Sequence, residues 1–155
     1  MATDRTASVT WHGGLMDGGG TIESVTSGVL SSLEVDWANR AEEAQGKTSP
    51  EELIAAAHAA CFSMAFSAAL AKAGNPAERL ETSATVTFVP GTGITKSALT
   101  VRGIVPGIDE ETFHELADQS KDGCPVSKAL AGNVELSLEA ELVGAEPRRR
   151  AVPSG

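Results

Sequence analysis

The stretch SPEELIAAAHAACFSMAFSAALAKAG, Ser49 to Gly74, is the longest continuous apolar pattern in the chain and decides the arrangement of the rest. Ser49 suits an N-cap, Pro50 the first helical position, and Glu51 and Glu52 the positive end of the helix dipole. Small and apolar residues then run to about Lys72, and Gly74 provides a stop. The run is apolar nearly all round, which predicts a helix enclosed by other structure on most sides. Leu53 to Leu70 carries no formal charge and is long enough to raise a membrane span. It is mostly alanine, however, and holds His58, Ser63 and Ser67, so a buried helix is the better reading. Near its centre sits a lone cysteine, Cys61.

Outward from this helix the chain reads as strands and shorter helices. Upstream, ASVTWHG alternates, GGGT acts as a breaker, and TIESVTSGVLSSLEVDWAN has the β-branched content of a meander. Arg40 then opens a polar segment, RAEEAQGKTSPEE, without apolar periodicity. Downstream, ETSATVTFVP and ITKSALTVRGIVP flank Gly91-Thr92-Gly93 and predict a hairpin. Ile108 to Lys121 predicts an amphipathic helix with Phe113, Leu116 and Ala117 on one side. Cys124, the only other cysteine, stands at the N-cap of a short helix that Pro125 begins, and NVELSLEAELVG closes the fold as an alternating strand. The order predicts an α+β domain over residues 1–144, with a sheet wrapped around the long helix. The tail, 145–155, has little to bury and is expected to be loose.

Composition narrows the function. At 155 residues, with 41% hydrophobic and 21% charged residues, the chain is long enough for one core and is not of disordered type. The net charge is −9, and it is three units more negative without Arg148, Arg149 and Arg150 of the tail. Such a field repels phosphate backbones and anionic membranes, and only 4% aromatic residues leave few rings for stacking. Neither nucleic acid nor a membrane is expected as a partner. The N-terminus shows no apolar signal-peptide core, so a cytoplasmic location with reduced thiols is expected.

Four readings compete for the cysteines. Both can be small core residues, since free cysteine is among the most buried types. His58 and Cys61, three apart on one helix face, can join Cys124 and His12 or His114 in a small metal- or ligand-binding module, although no CxxC is present. A structural disulfide is disfavoured by the compartment. A reactive pair is the fourth reading, and the helix N-cap favours a thiolate at Cys124. Mid-helix Cys61 gains no such help and needs a cation from elsewhere.

The helix SPEELIAAAHAACFSMAFSAALAKAG and the motif GCPVSKAL, with SGVL…WANR, ITKSALTVRGIVPGID and the last strand, resemble the OsmC/Ohr family (osmotically inducible protein C / organic hydroperoxide resistance), on its OsmC branch. The resemblance implies an intertwined α+β homodimer acting as a thiol-dependent peroxidase. It implies Cys61 as the peroxidatic cysteine, Cys124 as the resolving one, Arg40 as the cation for thiolate and peroxide, and Glu51 as the carboxylate that positions Arg40. The implied substrates are organic hydroperoxides, with hydrogen peroxide a second candidate. The implied reductant is a dithiol, of which a lipoylated protein is the family's example. No metal, flavin or haem is required.

The residue types suit that chemistry. A thiolate attacks the terminal peroxide oxygen and becomes a sulfenic acid, which a second thiol condenses to a disulfide. Phe62, Met64 and Phe66 could line an apolar approach, though core packing is the expectation for at least two of them. Glu51 and Cys61 are ten residues apart, so on one helix they stand ~15 Å apart along the axis and face different directions. That spacing favours a site to which the partner subunit brings the carboxylate.

Overall fold

The hairpin of β1 (Ala7–His12) and β2 (Gly19–Val25) starts an antiparallel meander that β3 (Ser31–Val35) completes, in the order β1-β2-β3. In the computed structural model, which describes residues 2–143, this meander belongs to the first of two compact units. That unit runs to Leu53 and adds Phe88–Gly93; the second comprises Ile54–Thr87 and the chain from Ile94 onward. The tail expected to be loose, 145–155, lies outside the described residues.

The GGGT breaker is only partly a breaker. Gly13 to Gly18 form the turn, where Asp17 Oδ1 accepts from Gly14 N at 3.0 Å, but Gly19 and Gly20 already belong to β2. Trp11 pairs opposite Gly20, and a Cβ on Gly20 would stand 2.7 Å from a Trp11 ring carbon. The glycine is in the strand because the indole takes the space that a side chain would occupy.

After β3, Asp36 caps a short helix, α1 (Trp37–Ala41), which carries Arg40. Asp36 Oδ1 accepts from Asn39 N and Asn39 Nδ2, both at 2.8 Å, and Lys47 Nζ lies 2.9 Å from Oδ2. These hydrogen bonds hold the Asp36 carboxyl down to about 2. Residues 37–39, read as the end of the meander, and the first two residues of the polar segment, Arg40 and Ala41, therefore form a helix. Its signal, an aspartate three residues before an asparagine, is a capping pattern too short to show apolar periodicity. Thr48 N then donates to Glu34 O at 3.0 Å, fixing the chain beside β3 just before the long helix.

That helix, α2 (Pro50–Lys72), begins and ends where the sequence places it. Ser49 Oγ accepts from Glu52 N at 3.2 Å, and at the other end Gly74 has φ +87° while Asn75 N bonds Leu70 O at 2.9 Å. Within the described chain it is not enclosed on most sides. His58, Phe62, Phe66 and Leu70, four apart, form one buried stripe, whereas Met64 is 74% exposed. Composition alone could not show this, because alanine on every face reads as apolar whether or not anything covers it.

Further along the chain, β4 (Arg79–Val89) and β5 (Gly93–Ile104) form the expected hairpin, with Thr92 N bonding Val89 O at 2.9 Å across the turn. β6 (Glu135–Leu142) joins β5 in parallel, Leu138 opposite Leu99, so the order is β4-β5-β6. The parallel pairing needs a crossover, which α3 (Glu110–Gly123) and α4 (Pro125–Leu130) supply. Asp109 caps α3 by accepting from Thr112 N at 2.8 Å. The core joins the α2 stripe to Leu99, Val101, Val105, Phe113 and Ala117. Phe66 and Phe113 are centred 5.2 Å apart, and Phe113 fills the space above Gly103, where a Cβ would meet its ring at 2.8 Å. The chain is thus α+β, with its strands in two three-stranded sheets.

Candidate active site

Cys124 is at once the residue that ends α3 and the one that starts α4, with extended backbone angles between two helices. This sharp junction turns its sulfur inward, where it is buried against Cys61 of α2. Both cysteines are free, and the thiols are close enough that each bears on the other's proton. Of the sequence-predicted site residues of this unit, the fold therefore brings these two together.

Their protons are unequally held. Burial pushes the Cys61 thiol up, and the neighbouring Cys124 pushes it further, against an opposing effect of the Val126 N–H. Burial also opposes ionisation of Cys124, but the neighbouring Cys61 thiol and the polar groups of Ser127 and Val126 outweigh it and draw Cys124 down. α4 has six residues, and Cys124 makes no side-chain capping hydrogen bond.

His58 lies one turn before Cys61, with no exposed surface. Its Nδ1 is 2.6 Å from Ser97 Oγ of β5, and its Nε2 is 2.8 Å from Ser127 Oγ of α4. Both serines are buried, so one imidazole ties together α2, β5 and α4. Burial lowers its pKa and keeps the ring neutral. With both nitrogens committed to serines, His58 has none left for a metal. Among the described residues no group of three His, Cys, Asp or Glu side chains is placed to hold one.

In the first unit the predicted Arg40–Glu51 pair is formed. Arg40 Nε donates to Glu51 Oε1 at 2.6 Å and to Oε2 at 3.2 Å, and Glu51 is buried. The guanidinium carbon sits 4.3 Å from the centroid of Phe88, and the Phe88 and Trp37 rings stand nearly perpendicular with centroids 6.0 Å apart. Carboxylate and ring leave the two terminal nitrogens without a hydrogen bond among the described residues. Beside Arg40 is a hollow of about 100 Å³ lined by Trp11, Leu15, Val35, Asp36, Trp37 and Pro50. Sequence reasoning named Arg40 but missed Phe88 and this lining, because they converge only after folding.

The profile of the OsmC-like protein family matches residues 42–139. The Peroxiredoxin OsmC of Escherichia coli K12 is 41% identical over 142 residues, covering 90% of this chain and 98% of that one. The chain belongs to the OsmC-like family. Within the wider group, Organic hydroperoxide resistance protein OhrB of Bacillus subtilis is 35% identical over 125 residues, 78% of this OsmC-like chain and 90% of that protein. The crystal structure of OhrB superposes with a TM-score of 0.64 at 31% identity, covering 88% of this chain and 98% of that one. The family match spans Glu51, Cys61 and Cys124 but begins two residues after Arg40. Phe62 and Phe66, weighed as walls of a substrate approach, are core residues packed on Phe113.

Proposed function

We propose that this OsmC-like chain is a thiol-dependent peroxidase that reduces organic hydroperoxides to alcohols. The observation that carries the reading is the pair of free thiols, Cys61 and Cys124, set against each other by the α3–α4 junction. Cys61 as thiolate attacks the terminal oxygen of ROOH. The O–O bond breaks, the alkoxide takes a proton and leaves as ROH, and sulfur is oxidised to sulfenic acid. Cys124 then attacks that sulfur, the S–S bond forms, and hydroxide leaves and is protonated to water. An external dithiol returns two electrons by exchange, and a lipoylated protein is one such dithiol.

Arg40 supplies the cation that Cys61 lacks, and Glu51 fixes its plane through Nε so that the terminal nitrogens remain for anionic sulfur and peroxide oxygen. The apolar hollow beside Arg40 favours an organic peroxide over hydrogen peroxide, which the site would also turn over more slowly. The working unit is a homodimer: only 22% of the most apolar stretch of α2 is buried within one chain, and Val9, Trp11 and Met64 are exposed. A second copy is the natural cover for that surface. The cytoplasm, where thiols stay reduced, suits this cycle.

The purified protein should consume an organic hydroperoxide such as cumene hydroperoxide when given a dithiol, and much more slowly with a monothiol. Absence of consumption with any dithiol, from protein whose two thiols titrate as free, would remove the peroxidase reading.

A further inference from the structure

His58 has no part in the peroxide chemistry, yet it is fully buried and both its ring nitrogens are engaged. A neutral imidazole has one N–H and one lone pair, so it donates to one serine and accepts from the other. Each serine hydroxyl has a single proton. If Nδ1 carries the ring proton, it donates to Ser97, and Ser127 must spend its own proton on Nε2. If Nε2 carries it, the ring donates to Ser127 and accepts from Ser97, and the Ser127 O–H is released for another acceptor. The Cys124 sulfur is that acceptor: Ser127 stands three residues after Cys124 in the first turn of α4, both are buried, and the Ser127 hydroxyl is among the groups that draw the Cys124 thiol down.

We propose that His58 is a positioning residue for the second thiol, directing the Ser127 hydroxyl at the Cys124 sulfur by donating to Ser127 from Nε2. The chain of donors then runs in one sense, from Ser97 to His58, from His58 to Ser127, and from Ser127 to Cys124. Such a chain holds Cys124 as the thiolate needed to attack the sulfenic acid at Cys61, and the role rests on Cys124 closing the disulfide. When Cys124 is protonated, the same ring takes its other tautomer and Ser127 turns to it. Ring and thiol are thus coupled without either being exposed.

The groups around this network leave little else to set the titration. From α2 the titratable neighbour is Cys61. On β5, Lys96 is paired to Glu135 at the surface, and on α3 Lys121 is paired to Asp122. On α4, Lys128 is exposed. No charged side chain acts on His58, whose pKa is lowered by burial.

The test uses the resting full-length protein with Cys61→Ser, which leaves Cys124 as its only thiol. Thiolate absorbance in the ultraviolet is followed against pH, with no peroxide present. Adding Ser127→Ala should raise the Cys124 midpoint by about one pH unit, the effect of losing one hydrogen bond to a charged acceptor. His58→Leu should shift it in the same direction, and His58→Gln, which keeps an N–H donor for Ser127, should restore most of the parent value. Fold is checked by circular dichroism. Ser127→Ala removes one oxygen and decides the matter if His58→Leu does not fold. A midpoint unmoved by Ser127→Ala overturns the proposal, as does a folded His58→Leu that titrates like the parent. So does a His58 ring, read by nitrogen NMR, that carries its proton on Nδ1 in the thiolate form. Because no turnover is measured, a chain that failed as a peroxidase would still show or lack the shift.

Discussion

Arg40 meets Glu51 through Nε at 2.6 Å, side-on, so the carboxylate fixes the plane of the guanidinium while leaving its far edge uncommitted. Lysine could match the charge but not that geometry. Arg40→Ala should lower the second-order rate with an organic peroxide at neutral pH by roughly 10²-fold, the scale of losing one preorganised charge-stabilising donor. Raising the pH should recover part of the loss, since hydroxide supplies the thiolate that the cation no longer favours. Arg40→Lys should fall between, and Glu51→Gln should weaken the alignment while keeping Arg40 charged. Stopped-flow consumption across pH measures all three. A parent-like rate for Arg40→Ala would assign the cation elsewhere.

Cys61 and Cys124 differ in when each is needed. Cys61→Ser should abolish peroxide reduction entirely. Cys124→Ser should complete one turnover and stop as a sulfenic acid, visible by mass after dimedone trapping. In the parent the same treatment should give an internal disulfide and little adduct. Equal loss of the first turnover in both variants would reverse or cancel the assignment.

Acid should reveal His58. Its folded pKa is lowered by burial, so the unfolded chain binds a proton more readily than the folded one. Its contribution to stability is complete above the unfolded value of ~6.5 and is lost as pH falls from there towards the lower folded value. Urea unfolding between neutral and mildly acid pH should therefore show a decline in parent stability. His58→Gln should flatten that decline even if it is less stable throughout. An identical decline in both proteins would place the acid sensitivity on other groups.

Gly103 tests the core independently of the chemistry. The Phe113 ring occupies the place of its missing side chain, 2.8 Å from where a Cβ would stand, and Leu80 closes the same space. Gly103→Ala should cost about 1–3 kcal/mol, as overpacking does in a filled interior. Gly91→Ala, with φ +83° and no atom within 4 Å of its Cβ, should lose stability through backbone strain alone. Thermal melts of the double variant Gly103→Ala, Phe113→Leu distinguish the two causes: relief by the smaller side chain is expected, and no relief would mean that the ring is not the obstacle.

Sequence and structure part company where contacts are long in range. α2 was legible to its last residues because Ser49, Pro50 and Gly74 are local signals whose effect does not depend on partners. The Cys124-Pro125 junction was legible for the same reason. By contrast α1 hides in five residues, and only Asp36 announces it. Gly20 looks like a breaker until Trp11 is seen across the pairing. His58 invited a metal, since three residues to Cys61 is a plausible ligand spacing. What occupies it instead are Ser97 and Ser127, 39 and 69 residues away, and no local pattern points to them.

The continuity of α2 leads to the last prediction. Glu51 and Cys61 both belong to the unbroken helix Pro50–Lys72, ten residues apart. Ten residues advance ~15 Å along a helix and turn the side chain to another face. A carboxylate that orients an arginine at Cys61 is therefore more readily brought by a second copy of the chain. We propose that each site combines Cys61 and Cys124 of one subunit with Arg40 of the partner subunit and Glu51 of the partner subunit. Cys61→Ser and Arg40→Ala homodimers should each be nearly inactive. Unfolding and refolding them together, with different affinity tags to isolate the mixed species, should yield heterodimers with one intact site. That site would use the thiols of the Arg40→Ala chain and the arginine of the Cys61→Ser chain, giving about half the parent activity per dimer if the two sites act independently. Isolated heterodimers as inactive as their parents would show that each chain builds its site from its own Arg40.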